Sequence, residues 1–195
     1  MSTTITRKDL TPFALYRERR EEYLHKMIAY KKNRRIKLSN HISLLFENRA
    51  TVLFQLHELI NSEDLTDTQE IDEYIEIYSG MLPAQHELSA TMFIEMDNQK
   101  LLEELLVQLK GVEYHLSLVV GSETIPATFE EVHDDREFTT SVHYLKFLLT
   151  ESAIEQLLGM EPSSLDVQVV LNHPNLSATV KLSADHIASL KHDLV

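Results

Sequence analysis

The clearest change of hydrophobic pattern along the chain lies between residues 41 and 60. Residues 42–46 form a short apolar run typical of a strand, and residues 47–61 then repeat apolar positions at helical spacing. We expect the strand to lie at a sheet edge and to lead directly into a half-buried helix around which the other elements pack. The apolar side chains that share one arc of this helix are Val52, Leu53, Leu56, Leu59 and Ile60.

The rest of the chain alternates between helical and strand patterns joined by short turns. Helical spacing occurs at about residues 11–34, 66–79, 98–110, 150–159 and 183–190. Strand-like patterns occur at about residues 36–38, 88–96, 112–120, 123–129, 140–149, 165–171 and 176–182. Together they predict an α+β fold in a single domain, residues 1–195: a mainly antiparallel sheet of about six to eight strands with five to six helices packed on it, including a long N-terminal helix.

The long first helix carries its own apolar stripe. Tyr16, Tyr23, Met27 and Tyr30 recur at spacings of seven, four and three residues. Such a stripe favours packing against the core or along a dimer seam over a cofactor site. Residues 11–35 are therefore interpreted as a helix of the domain that could also act as an arm or homodimer element.

Charge is distributed unevenly along the chain. Residues 1–50 contain 12 Lys and Arg against 5 Asp and Glu, whereas residues 51–195 contain 6 against 26, for a net charge of −13. The basic segment either docks on its own acidic body, or on that of a second copy, or it binds an anion such as nucleic acid. The acidic remainder disfavours nucleic acid. The residues of this candidate basic patch are Lys31, Lys32, Arg34 and Arg35.

Composition removes several classes of site. The chain has no cysteine, which excludes disulfides, thiolate metal sites, iron–sulfur ligation and a cysteine nucleophile. It has four glycines and no phosphate-binding loop, and it lacks the Gly-x-Ser-x-Gly and His-Glu-x-x-His motifs. No secretory h-region or membrane-length apolar run occurs. We therefore expect a cytoplasmic protein without a membrane partner, and the missing motifs favour a non-enzymatic role without deciding it.

The central helix carries the first candidate site residues. Glu47 and Glu58 lie on its polar side, where they either face solvent or contribute to a carboxylate site for a ligand or metal. Arg49 points instead into the apolar arc. Because an unpaired buried guanidinium is costly, Arg49 either extends its head group to solvent near the helix end, or bonds a carboxylate from elsewhere in the chain, or anchors a bound anion.

Two histidines complete the candidate set. His143 shares its strand face with apolar residues, and His173 precedes a proline at a hairpin turn. The structural interpretation is a hydrogen-bonded core histidine for His143 and turn formation for His173. The alternative is that both converge with Glu58 or Glu95 on a mixed nitrogen and oxygen site that suits Fe, Mn or Zn. Sequence spacing alone does not test such convergence.

The acidic loop at residues 130–137 also contains candidate ligands. His133 lies beside Asp134 and Asp135. The loop is interpreted as solvated, with capture of a divalent ion as the alternative.

Several short motifs resemble a bacterial family known only as domain of unknown function 3501, over nearly the whole chain. They are Leu45-Phe-Glu-Asn-Arg49 with Thr51 and Gln55, Ala90-Thr91, Ile94-Glu95, Gly111, Ser141-Val-His143, Phe147 and His173-Pro174. The family has no established activity. The resemblance implies at most a redox or iron context, through gene neighbours of the rubrerythrin and iron–sulfur oxidoreductase kind.

Three functional hypotheses remain open from the sequence. The favoured one is a non-catalytic accessory or interaction protein with a protein partner, such as an iron–sulfur or rubrerythrin-type redox protein. The second is a metal-binding protein or metal-dependent enzyme that uses the His and Glu candidates. The third is an anion or nucleic-acid binder that uses the basic N-terminal helix.

Overall fold

A computed structural model describes residues 4–129 and 136–194 of the chain. Its α-helices within these ranges are α1 (Phe13–Lys31), α2 (Arg49–Ser62), α3 (Thr68–Ser79), α4 (Gln99–Gln108), α5 (Glu151–Gly159) and α6 (Ala184–Lys191). Its β-strands are β1 (Arg35–Lys37), β2 (Ile42–Glu47), β3 (Glu87–Ile94), β4 (Leu116–Val120), β5 (Glu123–Pro126), β6 (Val142–Leu148), β7 (Val167–His173) and β8 (Leu176–Lys181). Short 3₁₀ helices cover Arg7–Asp9, Val112–His115 and Pro162–Ser164.

The strands form two antiparallel sheets. Sheet 1 has the order β1-β2-β3-β6, and sheet 2 has the order β5-β4-β7-β8. Thr128, which follows β5, forms a bridge with Lys146 in β6, with backbone hydrogen bonds of 2.7 and 2.8 Å. This bridge joins the edge strands of the two sheets, so that the strands surround a common core.

The α+β prediction is confirmed, with its strands divided between two sheets rather than placed in one. Alternate residues of each strand point into the core between the sheets, as the period of two requires. In this core the rings of Phe46 from β2 and Phe147 from β6 lie 6.1 Å apart, and Leu118 and Val169 of sheet 2 are fully buried. The alternation in the sequence identified these inward faces but not which strands would pair.

The position of β2 corrects one expectation. This strand pairs with β1 on one side and β3 on the other, so it lies inside sheet 1 and not at its edge. The short β1 hairpin supplies the extra neighbour, with Ile36 opposite Leu44. A strand at about residues 36–38 was predicted, but the local pattern did not show that β2 would pair with β1 on one side and with β3 on the other.

A second, smaller core covers the outer face of sheet 1. It is formed by α2, α3 and residues 4–10, which we call the N-terminal strap, and its buried members include Ile5, Val52, Leu56 and Ile75. The polar outer-face residues of β2 and β3 therefore lie beneath helices and not in solvent.

The region after α4 also differs from the expected pattern. Residues 112–120 were expected to form one strand, but Val112–His115 is a 3₁₀ helix and β4 begins at Leu116. Gly111 lies in the left-handed region with φ 78°, which starts this turn. As a result, Tyr114 is 62% exposed and does not share the core face.

Candidate functional site

The turn from β2 into α2 is built by Asn48. Its side chain accepts hydrogen bonds from the backbone N–H groups of Ala50 and Thr51, at 3.1 and 3.3 Å, and Thr51 Oγ1 accepts from Asn48 N at 2.9 Å. This reciprocal capping explains why a strand passes into a helix within one residue. Glu47, Asn48 and Arg49 consequently point into three different clusters.

Glu47 lies under α2 on the outer face of sheet 1 and is 1% exposed. Its Oε1 accepts hydrogen bonds from Gln55 Nε2 at 2.9 Å and Thr91 Oγ1 at 2.8 Å. Its Oε2 is also buried and has no hydrogen-bond partner within the described part of the protein. Residues from two of the motifs therefore meet at a buried carboxylate that is only half satisfied.

The charge of Glu47 acts on two neighbouring side chains. Burial lowers the pKa of Lys31 at the end of α1, and the carboxylate of Glu47 opposes that shift. Burial raises the pKa of Tyr144 on β6, and Glu47 raises it further. Tyr144 is 55% exposed, so the side chain on which Glu47 acts reaches the protein surface.

Tyr144 belongs to a surface that spans α3 and β6. The pKa of Tyr78 is raised first by burial and then by the nearby Tyr144 and Tyr74, which indicates that the three phenols lie close together. Ile77, one helical turn from Tyr74, is 64% exposed. We call Tyr74, Ile77, Tyr78 and Tyr144 the tyrosine surface.

The face of β6 continues this surface along the strand. Val142 and Leu148 alternate with Tyr144 and are both more than a third exposed. Lys146, between Tyr144 and Leu148, is paired with Glu87 at 3.0 Å. The paired lysine leaves the strand face largely apolar and aromatic.

Asn48 joins the second cluster, around Arg34. The guanidinium of Arg34 is completely buried and donates to the carbonyl of Phe46 at 2.8 Å, to that of Glu47 at 3.3 Å, and to the carboxylate of Asp193. Asn48 Nδ2 donates to the same carboxylate at 2.8 Å. The cluster ties the β2–α2 turn to the last residues of the chain.

This burial corrects the proposed basic patch. Arg34 cannot contribute to a surface patch, because the carbonyl groups of β2 and the Asp193 carboxylate enclose its guanidinium. Lys31 is half-buried with its ammonium 5.2 Å from the Phe54 ring, and Arg35 lies 5.0 Å over Phe93. Lys32 is exposed.

Arg49 joins the third cluster. It pairs with Asp9 at 2.7 Å and donates to the carbonyl of Thr4 at 2.7 Å. These are the internal partners that its position required, and they hold the N-terminal strap over α2.

Further ion pairs connect the basic N-terminal segment to the acidic body. Arg7 pairs with Asp72, Arg17 with Asp64 at 2.7 Å, and Arg20 with Glu58 at 2.6 Å. These contacts are what the docking interpretation of the charge asymmetry requires.

Glu58 is therefore engaged by α1. Both of its oxygens accept from Arg20, at 2.9 and 2.6 Å, and Tyr16 Oη donates to it at 2.8 Å. The bond to Arg20 is the main cause of the lowered pKa of Glu58. The neighbouring His57 stacks on Tyr16 with ring centres 4.7 Å apart. The polar edge of α2 is thus the surface against which α1 packs.

His57 provides a test of this docking. Its Nε2 accepts from the backbone N–H of Thr11 at 2.8 Å while Nδ1 lies 2.8 Å from the Leu53 carbonyl, which requires a neutral ring with the proton on Nδ1. Burial lowers the pKa of His57 below its ordinary 6.5, so the unfolded chain binds this proton more readily. The contribution of the neutral His57 ring to the free energy of unfolding should be complete above pH 6.5 and should decrease as the pH falls below it.

We expect His57→Gln to show a smaller loss of unfolding free energy than the wild type between pH 7.5 and pH 5, measured by urea unfolding. His25→Gln, on the exposed side of α1, is the control and should follow the wild type. Burial also lowers the pKa of His143, so the comparison between variants, and not the wild-type slope, isolates His57. Identical slopes for His57→Gln and the wild type would contradict this assignment.

The remaining candidates lie apart. His143 Nε2 is 2.9 Å from the Thr140 carbonyl and 3.0 Å from Thr139 Oγ1, with Glu113 at 3.9 Å. His173, beside the His115 ring, is 5% exposed; its Nε2 is 3.0 Å from the Lys110 carbonyl and its Nδ1 accepts from Asn175 N. Glu95 is largely exposed, 4.0 Å from Arg35.

Within residues 4–129 and 136–194, no group of three or more His, Asp and Glu side chains is arranged to hold a metal ion. Glu47, Glu58, Glu95, His143 and His173 thus do not meet there as one site. The hypothesis of Fe, Mn or Zn stays a prediction. His133, Asp134 and Asp135 lie outside the described residues.

Sequence reasoning did not identify the tyrosine surface or Asp193. The available signal for the first was Ile77, which falls outside the apolar stripe of α3 and has no packing role in that pattern. Asp193 gave no signal, because its partner Arg34 is 159 residues away.

The helices of the described ranges were also compared with the length and hydropathy that a bilayer span requires. None is long and apolar enough to cross a membrane.

Comparison with known proteins gives a family and a structural relative. No curated protein matches the chain. A crystal structure of a protein of unknown function from Burkholderia pseudomallei K96243 is similar, with 30% sequence identity, a TM-score of 0.90, and coverage of 98% of this chain and 100% of that chain. The family model described as "Protein of unknown function (DUF3501)" matches residues 4–194, and the chain belongs to this family.

Proposed function

We propose that the chain is a non-catalytic interaction protein that binds a protein partner through the tyrosine surface. The observation that carries the proposal is the exposure of two large side chains, Ile77 on α3 at 64% and Tyr144 on β6 at 55%, together with the half-buried Tyr74 and Tyr78 of α3. Tyrosine is enriched at the centres of protein interfaces, since it contributes a large apolar ring and a hydrogen-bonding hydroxyl.

The position of these residues on regular elements supports the proposal. Tyr74, Ile77 and Tyr78 lie on α3, and Tyr144 lies on a strand held by the Lys146–Glu87 ion pair. The loop between α3 and β3 is fixed to the sheet by Ser89 Oγ, which donates to the Met81 carbonyl at 2.7 Å. Little ordering is then needed on binding, which favours affinity.

The resemblance to the family suggests where to look for the partner. The resemblance implies a redox or iron context, so rubrerythrin-type and iron–sulfur redox proteins are the first partners to test. In this proposal the chain serves such a protein as an accessory and does not itself hold the redox centre.

The test compares two variants with the same substitution on different helices. We expect Ile77→Arg to lower the retention of a cross-linked host partner at least tenfold, because a charged side chain in the centre of an apolar interface is not desolvated without a large cost. The measurement is quantitative co-purification from the native host with the wild type and each variant as bait.

Val107→Arg is the matched control. Val107 is 55% exposed and, like Ile77, lies near the C-terminal end of its helix. It should retain the partner at the wild-type level. Equal retention by all three proteins, or no protein retained by the wild type above an empty matrix, would count against the proposal.

A further inference from the structure

The segment of the chain that contains α3 carries charge of one sign. Residues 50–99 contain eleven Asp and Glu and no Lys or Arg. On α3, Glu70 and Glu73 lie seven and four residues before Ile77, which places both on the helix face next to it. Both are exposed, and no ion pair of either was found in the described ranges.

A third carboxylate acts on the surface from below. Glu47 is buried beneath α2, and its charge raises the pKa of Tyr144. Its Oε1 accepts from Gln55 and Thr91, while Oε2 has no hydrogen-bond donor among the described residues. The exposed ring of Tyr144 is itself a favourable contact for a cation, through the negative potential of its face.

Glu70 and Glu73, the Tyr144 ring and the buried Glu47 carboxylate all favour a cationic ligand. We propose that the partner presents a basic segment to the tyrosine surface. In this arrangement an apolar side chain of the segment contacts Ile77. Lys or Arg side chains that flank this apolar residue contact the ring face of Tyr144 and pair with Glu70 and Glu73. This inference rests on the proposed interaction role and specifies the chemistry of the partner.

The tyrosine surface disfavours acidic ligands and purely apolar ligands. An acidic segment, or the phosphates of a nucleic acid, would meet Glu70, Glu73 and the field of Glu47 without a nearby unpaired cation, because Lys146 is paired with Glu87. A purely apolar segment would leave the carboxylates at the rim without compensation.

The experiment uses a random library of 12-residue peptides, selected on the full immobilised chain, with the selected peptides then measured in solution by fluorescence anisotropy. We expect enrichment of peptides that combine Lys or Arg with an apolar residue, and binding that weakens as salt is raised. Glu70→Gln with Glu73→Gln should raise their dissociation constants about fivefold at low ionic strength.

Glu103→Gln with Glu104→Gln, on the exposed side of α4, changes the net charge equally and should leave the dissociation constants unchanged. Enrichment of acidic or neutral peptides, the same loss in both double variants, or binding that Ile77→Arg leaves intact would each overturn the inference. A host partner that depends on Ile77 but not on salt or on Glu70 and Glu73 would overturn the basic segment alone. If no host partner depends on Ile77 for its binding, the interaction role itself is overturned.

Discussion

Replacing Asp193 by alanine is expected to lower the free energy of unfolding by about 3–5 kcal/mol, which is the usual effect of removing one partner of a buried ion pair. The Arg34 side chain is 0% exposed and the Asp193 side chain 4% exposed, so water does not replace the lost carboxylate. The variant would leave a buried guanidinium without a counter-charge and would remove the acceptor of Asn48 Nδ2. Urea unfolding at neutral pH measures the difference.

The control for this prediction is Glu155→Ala, which removes an exposed carboxylate from α5 and should change stability by no more than about 0.5 kcal/mol. Arg34→Met combined with Asp193→Leu removes both charges together. Because the uncompensated charge is then absent, the double variant should be more stable than the sum of the single variants predicts. Additive losses in this cycle would mean that the two residues act independently.

The Asp193 cluster also connects α6 to the β2–α2 turn. Ser189 and Asp193, on and just after α6, accept hydrogen bonds from Arg34, which lies between α1 and β1. The N-terminal and C-terminal segments are thus fixed to the same turn. Both must be in place before the buried charges are compensated.

Local pattern was sufficient for most elements of the fold. Two of the helices begin at side-chain caps, Thr150 before α5 and Ser183 before α6, because capping depends only on neighbouring residues. The Gly121 turn between β4 and β5 follows for the same reason, since glycine adopts its φ of 58° without strain. Strand alternation likewise identified the core faces.

The local sequence pattern did not predict which strands pair or which distant side chains meet at one site. The division into two sheets depends on contacts such as Leu118 with Val169, whose separation along the chain leaves no periodic trace. The candidate site shows the same limit. Glu47 was expected on the polar face of the helix, facing solvent or a ligand or metal, whereas it is the last residue of β2 and accepts a hydrogen bond from Thr91 of β3. Helical periodicity predicted which face of α2 each side chain occupies. It did not predict which element packs against that face.

The last prediction separates the two oxygens of Glu47. Glu47→Ala removes the acceptor of Gln55 Nε2 and Thr91 Oγ1 in a site that is 1% exposed, and it should cost about 2–3 kcal/mol through unsatisfied donors and lost packing. Glu47→Gln retains an acceptor in the position of Oε1 and removes the charge. Its stability should lie within about 1 kcal/mol of the wild type, because the lost charge-assisted bonds are offset by the lower cost of burying a neutral group.

The same substitution should still weaken binding, because the charge acts at a distance. Without the carboxylate, the pKa of Tyr144 should move down towards its ordinary value, as followed by NMR titration of labelled tyrosine. The dissociation constants of basic peptides should rise about threefold, as expected for a unit charge acting through the protein interior. Glu95→Gln, a neutralisation at a largely exposed site, should change neither stability nor the Tyr144 titration. A Glu47→Gln protein that is as unstable as Glu47→Ala, with an unchanged Tyr144, would show that the carboxylate serves the fold and not the surface above it.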